Sequence, residues 1–124
     1  MKFRDSSAIV SLLLIEENTE YCIKAAADDP RMLIWCLIIE AEEFEKAKKC
    51  LAIIMSRADE VTCVDRVRAR ALRLLEVHPL GVADACQLGA ALVASREDPE
   101  RLAILCFDDR LKSAAMQEGF VVNP

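Results

Sequence analysis

Short apolar runs, each too brief for a helix, alternate along this chain with longer stretches that carry helical periodicity. Met32 to Cys36 and Leu102 to Phe107 are the plainest of these runs. Apolar segments of this length, bounded by polar residues, read as strands buried on both faces. Phe3 to Asp5 closes a further short strand, Asp59 to Val64 reads as a short edge strand, and Phe120 to Val122 as a last one. Helices are expected over Ala8 to Glu16, Asn18 to Ala27, the stretch after Cys36 through Arg57, Asp65 to Glu76, Gly81 to Ser95 and Asp109 to Glu118. Strands separated by helices imply crossover connections, and crossovers imply a parallel sheet with helices on both faces. The expected fold is therefore α/β: a three-layer α/β/α sandwich around a small, mainly parallel sheet, forming one domain over residues 1–124.

Local punctuation fits this plan. Asp5-Ser6-Ser7 offers side-chain oxygens to the free N–H groups of a first helical turn. Pro30 and the His78-Pro79 pair end helices, because proline cannot continue the ladder. Gly119 suits the left-handed residue that closes many helices. Arg66, Arg70 and Arg73 share one helix face by their spacing, with Arg68 elsewhere, and read as a solvated face paired with nearby acids. His78, the one histidine, reads as a turn or packing residue, and Trp35 as a core or interface residue.

Hydrophobic residues make up 54% of the 124, enough for a core without metal clips or disulfides. No two of the six cysteines have the C-x-x-C spacing of a redox or zinc pair, so they are expected to be small buried hydrophobes in a reducing compartment. The start, Met1-Lys2-Phe3-Arg4-Asp5, lacks the apolar region of a signal peptide. The run from Met32 to Ile39 is too short to span a bilayer. A cytoplasmic protein without membrane contact is expected. The net charge of -5 argues against a protein that coats nucleic acid, but not against a nuclease whose carboxylates hold a cation.

Four acids fall at positions where such a site could form. Asp5 and Asp108 stand at the carboxyl ends of strands, Glu40 on the helix after the second strand, and Asp84 in the first turn of the Ala-rich helix. In parallel sheets, ligands bind at that end. Clustered carboxylates repel one another unless a cation holds them, and an oxygen-only donor set suits Mg²⁺ or Mn²⁺. Such an ion can activate water and neutralise charge on a phosphoryl centre, so the expected chemistry is phosphodiester hydrolysis.

The local sequences say more. Phe3-Arg4-Asp5-Ser6-Ser7-Ala8-Ile9-Val10, Trp35 to Glu40, His78-Pro79-Leu80-Gly81-Val82-Ala83-Asp84-Ala85-Cys86-Gln87-Leu88, and Cys106-Phe107-Asp108-Asp109-Arg110-Leu111 through Gly119-Phe120 resemble, in this order, four blocks of the PIN-domain family. The last two blocks are the specific ones, and the nearest likeness is to VapC-like toxins of toxin–antitoxin pairs. The resemblance implies a Mg²⁺-dependent endoribonuclease with an RNA substrate, a cognate VapB-type antitoxin and a homodimer. It implies that Asp5, Glu40, Asp84 and Asp108 are the catalytic metal ligands, with Ser6 as a polar residue beside them. It selects Asp108 over Asp109 as the ligand and leaves Asp109 to cap the following helix. The chain departs from the pattern at Gly81, where relatives usually carry a basic residue, and in a shortened middle. The basic residues closest in sequence to the expected mouth are Arg4, Arg110 and Lys112.

Each acid also has a plainer role. Asp5 suits a helix cap, Glu40 belongs to a charged run with Glu42, Glu43 and Glu45, and Asp84 favours the helix dipole. The rival to an enzyme is a non-catalytic PIN-like protein that keeps the fold and the acidic pocket for binding.

Overall fold

In the computed structural model, residues 2–5, 19–28, 32–34, 49, 52–54 and 56–124 are described. The elements run β1 (Lys2–Arg4), α1 (Thr19–Asp28), β2 (Met32–Ile34), β3 (Ala58–Glu60), α2 (Val64–Val77), α3 (Val82–Ala94), a 3₁₀ turn (Pro99–Arg101), β4 (Ala103–Leu105), α4 (Asp109–Gln117) and β5 (Val122–Asn123). The chain is thus mixed α/β. The helix expected over residues 8–16 and most of that expected after Cys36 lie outside the described residues, although residues 52–54 and 56–57 are helical.

The five strands among the described residues pair in parallel, in the order β3-β2-β1-β4-β5. The first strand is therefore the middle one, and β3 lies at an edge as its charged sequence suggests. The chain works outward from β1 through β2 to β3, then returns to lay β4 on the other side. This reversal of direction creates a switch point between β1 and β4, the kind of place at whose carboxyl end open parallel sheets bind ligands.

Side chains of successive strand residues point to opposite faces. Phe3, Ile104 and Cys106 join one core cluster with Val67 and Leu74 of α2, Ala85 and Leu88 of α3, and Leu111 and Ala115 of α4. Leu105, between two of these in sequence, packs instead with Cys22 of α1 and with Phe107. Arg4 is fully buried. A residue in the central strand of a parallel sheet is covered whichever face it takes.

The burial of Val67, Ala71 and Leu74, at helical spacing, seats α2 on the core. The arginines on its outer side find acids: Arg70 Nε lies 2.8 Å from Glu97 and Arg68 3.8 Å from Asp65. Helix α3 is small-residue rich because it meets α2 backbone to backbone. A Cβ added at Gly89 would lie 3.0 Å from the Val67 carbonyl oxygen and 3.2 Å from the Ala71 nitrogen. Gly81, by contrast, is the N-cap of α3 in ordinary extended geometry, and a Cβ there would meet nothing within 4 Å.

Helix α4 closes as its sequence suggests. Gly119 takes φ +100°, its N–H bonds to the Met116 carbonyl, and the Phe120 N–H bonds to that of Ala115. The end of α3 repeats this pattern without glycine. Arg96 and Glu97 hold φ of 57° and 62°, a conformation that disfavours each by about 1 kcal/mol or more. Of the four described cysteines, Cys22 and Cys106 are buried as expected, while Cys63 is exposed. No helix among the described residues is long and apolar enough to cross a membrane.

Candidate active site

The site is built by strand register. Arg4 pairs with Leu105, and the Asp5 N–H continues the ladder by donating to the Leu105 carbonyl at 3.1 Å. Asp5 is thereby set opposite Cys106, on the face that carries Phe3 and Ile104, and is 2% exposed. The Cys106 thiol lies 3.6 Å from Asp5 Oδ2. From the other side, the Asp108 N–H donates to Cys106 Sγ at 3.3 Å. One sulfur therefore links the chain segments that carry Asp5 and Asp108.

Asp108 also caps α4, since its Oδ1 accepts the Leu111 N–H at 2.9 Å. This corrects the expectation that Asp109 is the cap. Asp108 holds extended backbone at φ -82°, ψ 120°, whereas Asp109 is already helical and exposed. Cap geometry belongs to the residue just outside the helix. Capping occupies one Asp108 oxygen.

Asp84 sits in the first turn of α3, on the helix that packs over the Phe3 face. Its carboxyl is pushed above the ordinary range, first by burial, then by the negative charges of Asp108 and Asp5, with Arg110 opposing. Asp5, Asp84 and Asp108 thus share one electrostatic neighbourhood at the carboxyl end of the β1–β4 switch point. Glu40 and Ser6 lie outside the described residues.

Among the described residues, no three His, Cys, Asp or Glu side chains are placed to hold one metal ion. The donor chemistry of the three aspartates is nevertheless that of a hard-cation site: carboxylate oxygens, partly desolvated and mutually repelling. Of the basic residues, Arg110 is exposed and near enough to offset the charge on Asp84. Lys112 is half-buried, 6.0 Å from the Phe107 ring centroid.

The raised carboxyl sets a stability test. The folded chain holds the Asp84 proton more tightly than the unfolded chain, so ionisation opposes folding, and that cost appears as pH rises through the folded value. Asp84→Asn is expected to raise the melting temperature of metal-free protein at neutral pH and to lose this advantage below the ordinary carboxylate range near 3.8. An unchanged or lower melting temperature at neutral pH would contradict the crowding of charge.

A second polar cluster stands apart from the acids. His78 is buried, not merely a turn residue, and its Nε2 lies 2.7 Å from Glu118 Oε1. Arg73 reaches the same carboxylate through two nitrogens, at 2.6 and 3.2 Å.

No family model and no curated protein matches the chain. The sequence reading treated Cys106 only as a buried thiol and missed its place between Asp5 and Asp108. The signal was available in outline, because two parallel strands that each end at an acid must bring their last residues side by side.

Proposed function

We propose that this protein is a divalent-metal-dependent endoribonuclease with a PIN-like fold, helices covering both sheet faces, acting as the toxin of a VapBC-type pair in the cytoplasm. The observation that carries the reading is the link through Cys106 between Asp5 and the Asp108 segment at the carboxyl ends of adjacent strands, with Asp84 in the first turn of α3 within reach of their charge. The two separate core clusters, one joined by α2, α3 and α4 and one by α1, support the layered fold. A Mg²⁺ or Mn²⁺ ion held by these aspartates, with Glu40, would supply a water of lowered pKa and neutralise phosphate charge. The chain's own part is to keep the acids in place. Exposed Arg110 is the group beside Asp84 suited to an RNA phosphate. A VapB-type antitoxin and a homodimer are the proposed partners.

One observation favours the non-catalytic alternative: the described acids are not drawn into a three-ligand group, and Asp108 spends one oxygen on its cap. The two readings part in one assay. Structured RNA is incubated with the full chain under a titration of Mn²⁺ or Mg²⁺, with chelator as control. The nuclease reading expects cleavage that rises with metal and stops with chelator, and metal-independent or absent cleavage rejects it.

A further inference from the structure

The thiol in the acid site is chemically out of place, and its contacts are specific. Cys106 is fully buried at the end of β4, opposite Asp5 in the parallel register. Its sulfur receives the Asp108 N–H at 3.3 Å. Among the described residues, its S–H reaches Asp5 Oδ2 at 3.6 Å and the Asp108 carbonyl oxygen at 3.7 Å. A carboxylate is the stronger acceptor because the hydrogen bond to it is charge-assisted. A nearly buried carboxylate in turn needs donors around it. The same Asp108 whose N–H holds the sulfur fixes α4 through its own side chain to Leu111. A continuous set of contacts therefore runs from the start of α4, through the sulfur, to the Asp5 carboxylate.

We infer that Cys106 is a positioning residue for the acid site: its thiol donates to Asp5, orients that carboxylate, and ties it to the turn that carries Asp108. The thiol acts through Asp5 and needs no exposure of its own. Its effect on metal affinity rests on the metal-dependent reading above. The hydrogen bond itself does not.

Two measurements on the full chain test this. The first is infrared spectroscopy of the S–H stretch, with the Cys106 band assigned by its loss in Cys106→Ser. The thiol is a weak donor whose band falls in frequency when it is hydrogen-bonded. Asp5→Ala is expected to raise the Cys106 band to the free-thiol position, and Asp5→Asn, which keeps the side-chain shape, to raise it part of the way. A band that moves in neither variant places the donation on a group other than Asp5 and overturns the proposal. The second measurement is Mn²⁺ affinity by electron paramagnetic resonance. Cys106→Ala is expected to weaken binding about 10–100-fold, the usual cost of losing a group that orients a metal ligand, and Cys106→Ser, which keeps a donor, to restore most of it. Unchanged Mn²⁺ affinity in Cys106→Ala also overturns the proposal. If the wild-type chain binds no Mn²⁺, the metal-dependent reading falls, and the infrared result still decides the role of the thiol.

Discussion

Asp5→Asn is expected to lower metal-dependent RNA cleavage more than about 100-fold, beyond the upper end of what is lost when a residue that merely orients a ligand is replaced. The substitution keeps the shape of a side chain that is 2% exposed, removes its charge and turns one acceptor oxygen into a donor. A divalent ion needs that charge, so the cleavage rate should collapse while the variant still folds, as a cooperative melting transition would show. Asp84→Asn should match it in cleavage and exceed it in metal-free stability, because it relieves the repulsion that Asp84 suffers from Asp5 and Asp108. Retention of cleavage within a few-fold in either variant would remove these acids from the reaction.

Glu118→Ala is expected to destabilise the fold by about 2 kcal/mol in denaturant unfolding, with no direct effect on cleavage. Glu118 ends α4 and binds two groups from the α2 end at once. Its removal strands the His78 side chain, which is 3% exposed, while Arg73, at 44%, recovers water. The loss should therefore come mostly from the histidine. The Glu118 carboxyl is held below its ordinary 4.5, first by the hydrogen bond from Arg73, against the opposing effect of burial, with His78 adding to the lowering. A depressed carboxyl stabilises the fold fully above its unfolded pKa and loses that contribution as pH falls through the folded value. The wild type should thus lose stability below about pH 4.5 from this group, and the loss should be smaller in Glu118→Ala. Asp84 acts with the opposite sign in the same acid range, so the comparison is best made in an Asp84→Asn background.

The parts of the fold legible in the sequence were those set by local chemistry. Leu102 to Phe107 reads as a strand from composition alone, and β4 lies inside it. His78-Pro79 and Gly119 mark helix ends because one residue lacks an N–H and the other tolerates left-handed backbone. Asp84 reads correctly as a first-turn residue of α3. What stayed hidden depends on neighbours distant in sequence. The full burial of Arg4 follows only from the place of β1 as the central strand. Asp108 and Asp109 are equivalent as letters, and only backbone angles decide which caps the helix. Arg96 and Glu97 give no sign of their left-handed geometry, since neither residue type favours it. His78 could not announce its carboxylate, which comes from a residue 40 positions later.

The central position of the first strand also has a consequence in time. Asp5 and Cys106 are 101 residues apart in the chain. Translation at the usual pace needs about 5–20 s to cover that distance. Throughout that interval β1 has no β4 beside it, and Asp5 faces neither Cys106 nor Asp108. Parallel pairing over so long a separation is also slow once both strands exist. The acid site is thus absent from any nascent chain that has not yet emerged past β4. The juxtaposition of Asp5 with Cys106 and Asp108 is a late event in the life of the chain, made only after β4 has followed β1 by about 100 residues.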